Sequence, residues 1–397
     1  MEESHEADRL LGAGQHHGVP ERCGHLWVYL HWALALRALG CRVIWLEVLD
    51  PEKPLETTKG NVAALRERLD RFGLAESLAL FAPDGAPLPP DLAAWVLDLE
   101  AAAEADLLLN LWHSLPAAVV RRFRRSALID TDPGLLQVWI TLGSVHVAPH
   151  DLYFTIGETV GTAAARFPDC GLRWLYTPPP VFLPEWPVIA PDGAAPYTTV
   201  AHWWGGYFEF NGVTYCNEKR VAFLEYLDLP TRTSVQLELA ACLAGRTHGP
   251  PRPEYHEEYR RLMEPKGWRL REAWDVSSTP DDYRAYVQRS RGEFSCAKPS
   301  TRALETAWVS DRTLCYLASG RPAVVQHTGA SRILPDAEGI FRFRSLDEAA
   351  RALAAAEADY GRHCRLARAL AEEHFDARRV VARVLERAFE RGARSAA

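Results

Sequence analysis

The 397 residues are 48% hydrophobic and 24% charged, the composition of a globular chain long enough for two domains of similar size. A net charge of -7 leaves no surplus of Lys and Arg to neutralise phosphates, which argues against a nucleic-acid partner. The eight cysteines form no CxxC pair, "MEESHEADRL" has no signal-peptide core, and no apolar run nears the ~18 residues of a membrane span, so a cytoplasmic protein is expected.

From residue 24 the pattern alternates between helix and strand. "GHLWVYLHWALALRALG" is helical and stops at Gly40, and "CRVIWLEVLD" follows as an apolar run typical of a strand buried on both faces. "NVAALRERLDRFG", "DLAAWVLDLEAAAEA" and "PAAVVRRFRR" read as helices. "DLLLNLW", "SALIDTD" and "HDLYFTIG" read as strands. Such alternation predicts an open parallel sheet covered by helices. Residues 176–197, "YTPPPVFLPEWPVIAPDGAAPY", carry seven prolines and no helical period, and read as a stiff linker.

The alternation then resumes. "TTVAHWWG" is strand-like, "NEKRVAFLEYLDLP" is helical, and "SVQLELAACLAG" fits either state. "EYHEEYRRLMEPKG" is helical, "WRLREAWDV" a strand, and "TPDDYRAYVQRSRG" a helix capped by Thr279 with Pro280 in its first turn. A helix, "SDRTLCYLASG", and a strand, "RPAVVQHTG", precede a long helical tail broken near Gly361 and at "HFDARR". Two such α/β domains predict a small-molecule ligand in the crevice beyond the strand ends.

The segment Val309–Gly329 is the most informative. Ser310 is a natural N-cap, and the helix start that Ser310, Asp311 and Arg312 form offers backbone N–H groups and a dipole suited to phosphate. Arg312 adds a possible bidentate contact to a diphosphate, and Thr328 and Gly329 end the next strand on the same side. The same residues would also serve as an ordinary cap with surface charge.

In context, "GH…ALRALG" leading into "CRVIWLEV", the segment "SDRTLCYLASGRPAVVQHTG" and the tail "LAEEHFDARRVVARVLERA" resemble the two-domain nucleotide-sugar glycosyltransferases of the GT-B fold, bacterial members with unassigned substrates. The resemblance implies two Rossmann-like α/β domains facing a cleft: an acceptor domain over 1–185 and a donor domain over 186–375. It also implies a C-terminal helix over 376–397 that packs back on the first domain. Two departures accompany it. The Glu that contacts the ribose in many such enzymes is replaced by Cys315, and "ADRLLGAGQHHGVPERC" is a poor match to the first strand, which is either degenerate or missing from the start.

The expected activity is metal-independent transfer of a sugar from a nucleoside-diphosphate sugar to a small acceptor such as a natural product, with no cofactor and by a monomer or homodimer. His25, at the start of the first helix, is the leading base, where inverting members of the fold place theirs. Its rivals are His16, His17, Asp130, Asp132 and Glu158; "DTD" at 130–132 is read as acceptor-side or capping rather than as a metal motif. Glu293 and Lys298 are candidate donor contacts, and Trp203 and Trp204 offer rings for stacking unless they are core. No His/Cys spacing suggests a metal. The rival readings are an epimerase or hydrolase of the same fold, or a non-catalytic nucleotide- or sugar-binding protein.

Overall fold

The computed structural model describes residues 8–12, 23–83, 85–190, 193–244 and 252–390. The chain divides into two units, the first comprising 1–156, 169–182 and 377–397, the second 157–168 and 183–376. An uninterrupted first domain over 1–185 was expected. Instead the stretch 157–168, between two strands of the first unit, belongs to the second.

The first unit runs β1 (Asp8–Gly12), α1 (Cys23–Ala38), β2 (Arg42–Val48), α2 (Leu55–Asp70), β3 (Leu78–Phe81), α3 (Pro90–Ala93), α4 (Leu99–Ala103), β4 (Leu107–Asn110), α5 (Ala117–Val120), β5 (Ser126–Asp130), α6 (Leu135–Thr141), β6 (Leu152–Thr155) and β7 (Trp174–Tyr176). Its seven strands are parallel in the order β3-β2-β1-β4-β5-β6-β7. The doubtful N-terminal stretch does supply a strand: β1 is the centre of the sheet, hydrogen-bonded to β2 and β4. Two flanking ladders fix that strand where its own composition does not. β3, an apolar run of four residues before the turn signal "PDG", escaped the sequence reading.

The second unit contains β8 (Tyr197–Ala201), the hairpin β9 (Tyr207–Phe210) and β10 (Val213–Cys216), α7 (Lys219–Leu224), β11 (Leu237–Ala241), α8 (Pro253–Met263), β12 (Trp268–Glu272), α9 (Trp274–Ser277) and α10 (Pro280–Arg289). It continues with β13 (Gly292–Ser295), α11 (Pro299–Leu304), α12 (Asp311–Ala318), β14 (Ala323–Gln326), β15 (Ala337–Glu338), β16 (Ile340–Phe343), α13 (Leu346–Ala358) and α14 (Tyr360–Leu370). Its main sheet has the order β12-β11-β8-β13-β14-β16-β15, parallel but for β15. The ambiguous "SVQLELAACLAG" thus contains a strand, buried along its length. The last helix, α15 (Ala377–Phe389), returns to the first unit.

Helix α1 explains where α15 goes. Its residues from Leu26 to Leu36 are buried without interruption, so it has no solvent face. A helix apolar all round must be covered on every side. The sheet covers one side, and α15 packs against α1 with its own buried stripe of Val380, Val381 and Val384. Among the described residues no helix is long and apolar enough to cross a membrane.

Within α1 sits His31, fully buried, whose Nδ1 accepts a hydrogen bond from the Phe182 backbone N–H at 3.1 Å. The bond pins the chain just before it leaves the first unit. Burial lowers the His31 pKa from 6.5 to about 3. Between those values the unfolded chain binds a proton that the folded chain refuses, so stability falls as pH drops from about 6.5 toward 3, at up to about 1.4 kcal/mol per pH unit. Replacing His31 with Gln removes this dependence: urea midpoints between pH 4 and 6 should fall more steeply for the wild type than for the variant. Parallel curves would refute the assignment.

Candidate functional site

In the second unit a small cavity, partly open to solvent, lies among the C-terminal ends of β13 and β14 and the start of α12. Its walls include Lys219, Trp308, Ser310, Arg312, Thr328 and Arg342. In an open α/β sheet the strands' C-terminal ends and the helix N-termini above them form the binding edge.

Ser310 takes the N-cap position of α12, but its side chain makes no capping bond. Thr279 provides the contrast: its hydroxyl accepts the Asp282 N–H at 3.0 Å and closes a capping box. The first turn of α12 therefore lacks the side-chain cap that α10 has, and it faces the cavity. Asp311 is half-buried in that turn and is not part of the cavity wall.

Arg312 is not the open clamp that the sequence suggested. Its Nε donates to Glu293 Oε1 at 2.7 Å, its Nη1 to the Val200 carbonyl at 3.0 Å and its Nη2 to Ser295 Oγ at 2.6 Å. Glu293 is fully buried on β13, so the expected sugar contact is also corrected. A buried carboxylate without a counter-ion costs several kcal/mol, and this is what holds the guanidinium against the sheet. The pair works as a strut between α12 and the strands, while one edge of Arg312 still borders the cavity.

Lys219, which the sequence reading passed over, supplies the cavity's other cation. It is buried, and its Nζ donates to the Cys296 carbonyl at 3.1 Å. Burial, reinforced by the Arg312 charge, holds its pKa well below the usual lysine value, with Glu293 acting the other way. The signal was present: Lys219 opens α7, the end of a helix that disfavours a cation. It is delivered there by the hairpin, whose base closes where the Asn217 N–H meets the Gly206 carbonyl at 2.8 Å. A Cβ on Gly205 would lie 2.2 Å from the Asn217 carbonyl oxygen, so that closure requires glycine. Lys298, half-buried at the N-cap of α11, lies outside the cavity lining but adds a like charge that disfavours the Lys219 ammonium.

Thr328 and Gly329 shape the site rather than reach into it. The Thr328 hydroxyl donates to the Trp308 carbonyl at 2.5 Å, and its own carbonyl accepts the Ala307 N–H at 2.8 Å. Gly329, at φ 128°, packs so closely that a Cβ would stand 2.8 Å from the Glu305 carbonyl oxygen. The loop it supports is strained, with Glu305 at φ 48° and Ala307 at φ 57°. Arg342 donates to the Gly329 carbonyl at 2.9 Å and to Asp336 Oδ1 at 2.7 Å, fixing the following turn.

Three further candidates are corrected. Glu158 is buried, accepting the Ser331 hydroxyl, the Arg332 N–H at 2.9 Å and Arg332 Nε at 3.3 Å; it clasps a turn of the second unit instead of acting as a base. Trp203 is fully buried between Phe223 and Tyr259, with no ring face to offer a ligand. Trp204 donates to the Leu243 carbonyl at 3.1 Å and packs against Tyr255 and the Arg220 guanidinium.

In the first unit, His25 is exposed in the first turn of α1, its Nε2 3.4 Å from the Tyr29 hydroxyl. His16 and His17 lie outside the described residues. Asp130 is buried and accepts from Gln137 Nε2 and Thr155 Oγ1, both at 2.9 Å, and from the Asp132 N–H at 3.0 Å. Burial pushes its carboxyl up to about 7 against the pull of those donors. It anchors the loop that carries Asp132 and is too enclosed to meet a substrate. Asp132 is exposed, and its charge partly offsets the burial that lowers the pKa of His113, a residue the sequence reading missed. Among the described residues no three His, Cys, Asp or Glu side chains converge as metal ligands.

The sequence matches no family model and no curated protein. Solved structures are similar over nearly the whole chain. HepE from Anabaena in complex with UDP-glucose has a TM-score of 0.57 at 13% identity, covering 96% of this chain and 99% of that one. A glycosyltransferase from Rickettsia africae has a TM-score of 0.54 at 9% identity, covering 97% and 98%. An alpha-glucosyltransferase in complex with UDP-glucose and DNA containing an abasic site has a TM-score of 0.53 at 10% identity, covering 96% and 99%. The fold is the GT-B fold of nucleotide-sugar glycosyltransferases.

The strut has a measurable consequence. Arg312→Leu leaves Glu293 charged and buried, and should lower stability by about 3–5 kcal/mol; adding Glu293→Leu should recover most of the loss. Urea unfolding of the two variants decides it, and a double variant no more stable than the single one would contradict the strut.

Proposed function

We propose that the protein is a glycosyltransferase that takes its sugar from a nucleoside-diphosphate sugar, with the diphosphate bound in the second unit's cavity. One observation carries this reading: a buried lysine with a single backbone carbonyl as its hydrogen-bond acceptor shares a cavity with an uncapped helix start. Burial disfavours the Lys219 ammonium in such a site, and a compact anion beside it and the helix start is the ligand that would favour that charge. The GT-B fold and its nucleotide-bound neighbours support the same class of donor.

In the transfer, the bond between the sugar's anomeric carbon and the diphosphate oxygen breaks and its electron pair leaves with the diphosphate. Lys219 and the α12 N-terminus stabilise the charge that develops there. The acceptor's hydroxyl oxygen bonds to the anomeric carbon, and its proton passes to a base, for which His25 is the exposed candidate. Because the protein's own cations and helix dipole serve the leaving group, this mechanism calls for no metal. The acceptor in this proposal is a small molecule, consistent with the net charge of -7.

UDP is the first nucleotide to test. It should raise the melting temperature and bind measurably by calorimetry. Lys219→Met should abolish that binding while keeping the wild-type circular dichroism, because removing a desolvated charge does not weaken the fold. Undiminished UDP binding by the variant would sink the proposal. Release of free UDP from UDP-glucose only when an acceptor is present separates a transferase from a hydrolase.

A further inference from the structure

We infer that the indole N–H of Trp308 is a ligand contact, donating to a phosphoryl oxygen of the donor's diphosphate; this rests on the donor reading above. Trp308 stands two residues before the N-cap of α12 and lines the same cavity as Lys219 and Arg312. Its Nε1 is buried and has no acceptor in the protein. An indole nitrogen can only donate, so its partner must be an acceptor atom, and leaving it unmatched costs about as much as a lost hydrogen bond.

The backbone that carries the indole is held in place. Its carbonyl accepts the Thr328 hydroxyl at 2.5 Å, and the preceding N–H, of Ala307, binds the Thr328 carbonyl at 2.8 Å. Both bonds fix the backbone on either side of Trp308. Ala307 keeps a left-handed φ of 57°, unusual for alanine, and Gly329 packs tightly beneath the loop. A backbone fixed in this way keeps an unmatched donor beside a cavity walled by Lys219 and Arg312, and that placement suits an anion. The neighbouring charges decide what kind of acceptor it meets: beside an ammonium and an uncapped helix start, that acceptor is a phosphoryl oxygen rather than a sugar hydroxyl.

The test uses the full chain and three probes: inorganic pyrophosphate, UDP and uridine. Trp308→Phe keeps a ring but loses the donor, and Trp308→Met serves should the phenyl ring perturb folding. Either should weaken pyrophosphate and UDP about tenfold or more, the usual loss for a hydrogen bond to a charged group, and leave uridine binding unchanged. The apo melting temperature should not fall in step, since the N–H satisfies nothing in the free protein. In wild-type protein with nitrogen-labelled indoles, the one indole resonance absent from the variant should move on adding pyrophosphate. Undiminished pyrophosphate and UDP affinity in the variants overturns the inference. So does a loss confined to UDP-glucose, which would assign the indole to the sugar. If Lys219→Met loses UDP binding while the Trp308 variants keep it, only this inference fails; if the wild type binds no diphosphate, the donor reading fails with it.

Discussion

The buried ion pair between Arg312 and Glu293 is the constraint on which the second unit's site depends. It ties the first turn of α12 to β8 and β13, and so fixes a helix start over the ends of the strands. The pair nearly neutralises itself. What it leaves is a rigid edge where Lys219 stands without a carboxylate partner of its own. Two buried basic side chains share one buried carboxylate, and burial disfavours the Lys219 ammonium until an anion joins it. In a folded protein that imbalance is tolerated where a ligand completes it.

The remaining elements are arranged around that edge. The hairpin of β9 and β10 ends where Lys219 begins, and Gly205 lets its base close. The loop before α12 is shaped from one side by Thr328 and Gly329. From the other side it is held by the segment 157–168, where Thr159 donates to the Glu305 carbonyl at 3.3 Å and Arg166 pairs with the Glu305 carboxylate at 2.6 Å. This segment arises between β6 and β7 of the first unit yet packs as part of the second. Several independent contacts therefore converge on one short loop, and that convergence sustains its left-handed residues.

Much of the architecture was readable because it depends on local pattern. Apolar runs such as that of β2 announce strands buried on both faces, and the unrelieved apolar character of α1 demands a cover like α15. β1 was hard to read because its position comes from two neighbouring ladders. The site was legible only in outline. The helix start at Ser310 was visible, but the direction of Arg312 depends on Glu293, nineteen residues earlier in the chain, and no periodicity encodes that meeting. Glu158 and Trp203 were misread for the same reason: carboxylates and aromatics at strand ends look alike until their partners are known. Lys219 could have been found by asking why a lysine opens a helix.

The central claim is that a diphosphate supplies the counter-charge Lys219 lacks. Burial holds that lysine's pKa down and a bound diphosphate raises it, so as pH rises binding draws a proton from solvent. Calorimetric titration of UDP in buffers of different ionisation enthalpy measures this uptake directly. The account predicts net proton uptake on binding, absent in Lys219→Met, with affinity that weakens as pH rises. Binding that is independent of buffer and pH, or uptake retained by the variant, would contradict it.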